Sequence, residues 1–290
     1  MKIAVISINI GDYIVFWEDF YKSAEQNFFP GIDKKYFVFT DKTDVESLNK
    51  DNVQVVHQED MGWPFNTMKR FHMFLRIEKD LEEYDYVFFA NANSYFYREF
   101  NFNAINLKKK YVMVEHPGFH LKKKNEKPFE RRRECKAYVS NEQGEFYVQG
   151  AFYGGKTDAF LFMTKKLDEC TESDLNNGIV AVWHDESYLN RFVIDNIDNI
   201  QILGWQYLYF EEYYLPYDKM IVLRNKKKYL PKTNGRFKNQ NIVKLNMYVL
   251  LRNIMWRANV LIGKYKWYLN YDEKTQRYID TDISERKNNG

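Results

Sequence analysis

Cysteine is scarce: Cys135 and Cys170 are the only two in 290 residues. They lie too far apart for a metal knuckle and are too few for a disulfide framework, so a reducing compartment is the default setting. Nowhere do about 18 apolar residues run together, which excludes an ordinary membrane-spanning helix. Excess charge is also lacking. The formal net charge is +3, so no global field calls for nucleic acid. Basic residues do gather at Lys108 to Lys110, Lys122 to Lys124, Arg131 to Arg133 and Lys226 to Lys228, but such runs ordinarily form solvated faces. There is no internal repeat. Gly150, Gly154 and Gly155 lack the spacing and flanking elements of a dinucleotide fingerprint, and instead imply tight bends or a close backbone approach. The opening "MKIAVISINIGDYIVFW" has no small-residue cleavage site and reads as a strand rather than an export signal.

What is present is aromatic. Aromatic residues make up 18% of the chain, with 23 Tyr and 23 Phe, which suits either ring-lined clefts or a compositional bias. Apolar runs alternate with helical patterns: strand near 3–9, helix near 14–28, strands at "KKYFVFTD" and "NVQVVHQ", helix near 65–82, strand at "YDYVFFA". That alternation predicts an α/β domain on a mainly parallel sheet, whose ligands gather beyond the carboxyl ends of the strands. Composition changes beyond 240. From Ile242 to Tyr271 no acidic residue occurs, while Lys244, Arg252, Arg257, Lys264 and Lys266 alternate with Met, Leu, Trp and Tyr. The expected organisation is therefore a catalytic domain over 1–240 and a basic, aromatic-rich helical extension over 241–290, ending in a frayed tail.

Three places could carry chemistry. Asn91-Ala92-Asn93 ends an apolar strand; alone it reads equally well as a turn, because Asn tolerates left-handed backbone. "VWHDESYLNRF" (182–192) crowds Trp183, His184, Asp185 and Glu186 together. Ligands on one helix face need spacings of three or four, so this is no helical metal pair. An aromatic face beside carboxylates suits a sugar ring, and the same residues suit a helix N-terminus capped by His184, Asp185 or Ser187. His116 precedes Pro117, which places it at the extended end of another strand.

Taken together, "VFTD" (38–41), "TMKRFHM" (67–73), "HPGF" (116–119), "ERR" (130–132), "GEFYVQGAFYGG" (144–155) and "NNGIVAVWHDESYLNRF" (176–192) resemble glycosyltransferase family 6 in order and spacing. That family includes the histo-blood-group A and B transferases and the α-1,3-galactosyltransferase. The resemblance covers roughly residues 1–240. It implies a GT-A fold and a retaining transfer of galactose or N-acetylgalactosamine from a UDP-sugar to the 3-hydroxyl of a galactoside. By the same resemblance Ile8, Ile10 and Tyr13 match the uridine-binding segment, Arg70 a donor contact, and Gln149, Gly150 and Ala151 the donor-selectivity segment. Asp185 matches a carboxylate that holds the donor sugar; His116, Trp183 and Glu186 match acceptor-site residues. The family's downstream acidic acceptor residue falls at Phe210 or Glu211, and neither is assigned. The anchor and stem of vertebrate members are missing, as in bacterial relatives, so the expected setting is cytoplasmic.

Metal-dependent members carry Asp-x-Asp where this chain carries Asn-Ala-Asn. Hard cations favour carboxylates, and an amide oxygen brings no charge. Metal and cofactor are therefore expected to be absent, with Arg70, Asn91, Ala92, Asn93 and the basic stretch "RNKKKYLPKTNGRFK" (224–238) serving the diphosphate; by the resemblance, Lys232 with Arg236 or Lys238 matches the Lys and Arg of the family's C-terminal segment. The amides of Asn91 and Asn93 are expected to donate to phosphate or ribose oxygens, which a carboxylate could not do. Glu186 is the expected catalytic carboxylate, either as nucleophile or as stabiliser of an oxocarbenium-like state. In the family it resembles, bulk in the selectivity segment helps separate galactose from its N-acetylated form, so small Ala151 and the likeness to bacterial members imply UDP-GalNAc as donor and a fucosylated galactoside (Fucα1,2Gal) as acceptor; UDP-galactose is the alternative. A metal-stripped carbohydrate-binding scaffold is the competing class. The segment 241–271 lacks a nucleic-acid module, and suits either a membrane surface or docking on the catalytic domain.

Overall fold

The computed structural model describes residues 1–120, 122–212, 218–230, 271–272 and 277–278. Lys232, Arg236, Lys238 and nearly all of the expected helical extension lie outside the described residues.

The alternating apolar runs become a seven-stranded sheet. Its strands are β1 (Lys2–Ile8), β2 (Asp33–Thr40), β3 (Val53–His57), β4 (Tyr86–Ala90), β6 (Tyr111–Glu115), β7 (Val148–Lys156) and β8 (Ile200–Leu203), with the short β5 (Ser94–Phe96) lying elsewhere. The order is β3-β2-β1-β4-β7-β6-β8. Neighbours run parallel except β7, which is antiparallel to both β4 and β6. The expected mainly parallel α/β fold is thus what forms.

Helices cover both faces. One is α1 (Trp17–Asn27), entered through a 3-10 turn over Gly11–Phe16. Chain order continues with α2 (Phe65–Met68), α3 (Arg70–Leu75), α4 (Glu78–Leu81), α5 (Thr157–Asn176) and α6 (Asp185–Asn196). Side chains alternate across a strand, and the core divides accordingly. Phe88 and Phe152 join Trp17, Phe20, Phe28 and Phe100 on one face, while Phe89 and Tyr153 join Phe71, Phe74, Phe160 and Tyr188 on the other. Much of the aromatic content is therefore core. Each such ring stabilises the fold by about 1.5–3 kcal/mol relative to leaving it in water.

The single helix expected over 65–82 is broken into α2, α3 and α4. The breaks fall beside two anchored arginines. Arg70 Nη1 donates to the Gly150 carbonyl (2.6 Å), and Arg76 Nη2 donates to the His57 carbonyl (2.9 Å). Periodicity showed the apolar stripe but not these tethers.

A small second sheet places β10 (Ile221–Leu223) between β5, antiparallel, and β9 (Tyr209–Phe210), parallel. It is followed by the four-residue α7 (Lys226–Tyr229). The two-residue strands β11 (Tyr271–Asp272) and β12 (Arg277–Tyr278) pair antiparallel in the tail expected to fray. Among the described residues no helix is long and apolar enough to cross a membrane.

Candidate active site

The reversed direction of β7 builds the site. Because β7 is antiparallel to β4, with Ala90 opposite Phe152, the carboxyl end of β4 meets the amino half of β7. Asn91 N–H donates to the Ala151 carbonyl (2.8 Å). Asn-Ala-Asn and Gln149-Gly150-Ala151 therefore stand side by side, although some 55 residues separate them in the chain. The β1 end, carrying Ile8, Ile10 and Tyr13, adjoins in the sheet because β1 pairs parallel with β4.

Glycine at 150 admits the next element. A Cβ there would stand 3.1 Å from Asp185 Oδ2 and 3.5 Å from Glu186 Oε2. In its absence the first turn of α6 closes on β7. Gly150 N–H donates to Glu186 Oε2 (2.8 Å), and the Tyr147 hydroxyl donates to Glu186 Oε1 (2.8 Å). Asn190, one turn further along α6, clasps the same strand: it accepts from Val148 N–H (2.8 Å) and donates to the Val148 carbonyl (2.9 Å). The helix N-terminus expected here is real, and His184 caps it without a side-chain bond at φ 55°. Positive φ is strained for a side chain of this kind. It turns the chain so that Asp185 and Glu186 both face β7.

Beneath them runs a buried ion pair. Arg70, 6% exposed, reaches Asp185 Oδ2 (2.9 Å) and the Gly150 carbonyl with the same Nη1, and its guanidinium stacks 4.7 Å over the Phe89 ring. Burial pushes the Asp185 carboxyl up to about 6, against the pull of Arg70. Burial also pushes Glu186 up to about 7, opposed by the Gly150 and Tyr147 hydrogen bonds. A carboxylate poised near neutrality beside a specific charged partner is a common mark of a reaction centre.

His116 sits at the end of β6, as expected, and its N–H donates to the Tyr147 carbonyl (2.8 Å). Gly118 N–H donates to His116 Nδ1 (3.0 Å), which leaves the ring proton on Nε2. Burial depresses the ring to about 3, so it stays neutral and presents that N–H as a donor. Trp183 is half-buried just ahead of α6, its backbone N–H donating to Ser187 Oγ (2.9 Å). Gln149 is buried, and its Oε1 has no hydrogen-bond partner among the described residues.

The structure thus gathers Arg70, Asn91, Gly150, Ala151, Asp185 and Glu186, with His116 joined through Tyr147. One participant escaped sequence reasoning. Tyr147 lies inside a recognised block, but only the packing of α6 on β7 pairs it with Glu186. Lys226 belongs to the basic stretch 224–238 expected to serve the diphosphate, and its Nζ lies 5.2 Å over the Tyr13 ring while its charge acts on Asp185. Glu211 is turned away to hold Lys228 Nζ (3.2 Å) and the Tyr229 hydroxyl (3.1 Å), whereas the Phe210 ring lies 5.9 Å from His116.

Asn91 and Asn93 would offer a divalent cation only uncharged amide oxygens, a poorer fit than carboxylates. Asn93 Nδ2, which cannot ligate, donates to the Arg224 carbonyl (2.7 Å), and Asn93 Oδ1 has no hydrogen-bond partner among the described residues. Among the described residues, three metal-ligating side chains converge only at His72, Asp168 and Glu172, on α3 and α5, where Lys69 already pairs with Glu172.

The chain also has clear relatives. It is 34% identical over 228 residues to the O-antigen biosynthesis glycosyltransferase WbnI of Escherichia coli, covering 79% of this chain and 96% of that protein. It is 30% identical over 210 residues to histo-blood group ABO system transferase 2 of Rattus norvegicus, covering 67% of this chain and 62% of the rat protein. It is 30% identical over 216 residues to globoside alpha-1,3-N-acetylgalactosaminyltransferase 1 of Gallus gallus, covering 72% of this chain and 62% of the chicken protein. The sequence pattern of glycosyltransferase family 6 matches residues 1–235. The chain belongs to glycosyltransferase family 6 and is a hexosyltransferase.

Proposed function

We propose that this enzyme moves N-acetylgalactosamine from UDP-GalNAc, with retention, in α-1,3 linkage to a fucosylated galactoside (Fucα1,2Gal), and that it does so without a divalent metal. The observation that carries the reading is Glu186, held by the Tyr147 hydroxyl and Gly150 N–H (both 2.8 Å) beside the buried Arg70–Asp185 pair. Two donors on one carboxylate fix its direction and favour its ionised form.

In that position Glu186 serves retention by either route: as nucleophile at the anomeric carbon, or as the charge that steadies an oxocarbenium-like state while the acceptor enters on the face UDP leaves. Asp185, oriented by Arg70, takes sugar hydroxyls. His116 offers its Nε2 proton to the acceptor. The departing diphosphate needs positive potential, and the amides at 91 and 93 supply no cation site. Arg70, on Asp185, and Lys226, over Tyr13, are described cations at the site, with Lys232, Arg236 and Lys238 proposed to add theirs. Ala151 is small, which favours an acetamido group more than a bulkier side chain at that position would, and the chicken relative is named for that sugar.

Transfer in EDTA decides the matter. UDP-GalNAc and UDP-galactose are supplied side by side with a Fucα1,2Gal acceptor, and the product anomer is assigned by NMR. The expected result is an α-linked product, faster from UDP-GalNAc, and unchanged by chelator. Abolition by EDTA with recovery on adding Mn²⁺ would refute the metal-free mechanism, and faster use of UDP-galactose would reassign the donor. The proposal extends to a cytoplasmic enzyme meeting the inner membrane face through 241–271, which liposome sedimentation with and without those residues tests.

A further inference from the structure

Asn91 and Asn93 have different partners. Asn91 binds β7, whereas Asn93, only 3% exposed, binds the segment that follows β10. Its side-chain Nδ2 donates to the Arg224 carbonyl (2.7 Å), and the Arg224 N–H returns a bond to the Asn93 carbonyl (2.9 Å). One residue on, Asn225 N–H donates to the Glu211 carboxylate, which also holds Lys228 and Tyr229. The Arg224 guanidinium stacks 3.9 Å from the Tyr229 ring and pairs with Asp19 (2.6 Å). The segment 224–229 is therefore pinned at its root and at its far end. Between those pins Lys226 is exposed, with its ammonium over Tyr13.

Resting on the donor-site reading above, we propose that Asn93 is a positioning residue: its amide N–H, bonded to the Arg224 carbonyl, holds Lys226 over the Tyr13 ring, where a nucleoside diphosphate would meet it. The bond needs a donor. An ionised aspartate accepts only, so at this position it would set a carboxylate against a carbonyl and release the segment. The amide at 93 then has a purpose beyond omitting a metal ligand: it fastens the cation that stands in for one.

The test is a double-mutant cycle on UDP affinity, by calorimetry in EDTA, with wild type, Asn93→Asp, Asn93→Ala, Lys226→Ala and the two double variants. Thermal melts confirm that each variant is folded, and Asn93→Ala keeps the test alive should Asn93→Asp not fold. Each Asn93 variant is expected to weaken UDP about tenfold in the wild-type background and less than about twofold once Lys226 is alanine, because coupled residues are not additive. Equal loss in both backgrounds, or no loss at all, would overturn the latch while leaving the transferase intact. Recovery of UDP binding by Asn93→Asp on adding Mn²⁺ would also overturn it, since residue 93 would then face the diphosphate itself. Failure of the wild type to bind UDP in EDTA would instead remove the donor-site reading on which the latch rests.

Discussion

Glu186 illustrates what a single side chain gains from its surroundings. "WHDES" marks it as a carboxylate near a sugar site, but its behaviour comes from β7. Replacing it with Gln keeps the shape, and the Tyr147 hydroxyl can reverse to accept from the new amide. We therefore expect Glu186→Gln to bind UDP normally in calorimetry while turnover falls by about two orders of magnitude or more, the loss typical of a group acting only in the transition state. In the wild type, protonation removes the charge. Glu186 lies near about 7 through burial, so turnover should fall as pH drops below neutrality, measured as the acid limb of the kcat profile. Stability runs the other way. The folded-state values of Glu186 and Asp185 are raised above 4.5 and 3.8, so the folded state holds protons that the unfolded chain releases. Their contribution is present below the unfolded values and lost as pH rises through about 6 and about 7. Glu186→Gln should accordingly melt higher than wild type in alkaline buffer and nearly level with it in acid.

Among the elements, β7 and α6 carry the site, and their contact rests on a few groups. Asn190 makes three hydrogen bonds, two to Val148 and one to the Glu186 carbonyl (2.9 Å). At about 1 kcal/mol for each neutral bond, Asn190→Ala should cost about 3 kcal/mol in urea unfolding and lower kcat by disturbing Glu186. Gly154 shows the same dependence at the other end of β7. A side chain there would overlap the Phe88 ring and the Val87 carbonyl. Gly154→Ala should therefore destabilise by about 1–3 kcal/mol through overpacking, again read by urea unfolding. The apolar runs announced most of these strands because burial on both faces is written in neighbouring residues. They did not announce that β7 runs antiparallel, since strand direction depends on partners far away in the chain. Nor did the stripe over 65–82 reveal two breaks, because Arg70 and Arg76 are held by Gly150 and His57.

Across the molecule, the family match ends at 235 while the chain continues to 290. A chain ending at Gln240 should keep UDP binding and transfer to a soluble acceptor, and lose whatever association with anionic liposomes the full chain has. Retained sedimentation would place the membrane contact within the catalytic part. The order of six blocks pointed to the family and the alternation of apolar runs to the α/β class, because those are properties of residue types at fixed spacing. Folding decided the rest: that Asn93 grips Arg224, that Arg70 lies under Asp185, that Lys226 turns toward Tyr13, and that two acids are lifted toward neutrality. Each of these depends on burial or on a partner dozens of residues distant, and desolvation and hydrogen bonding act through space rather than along the chain.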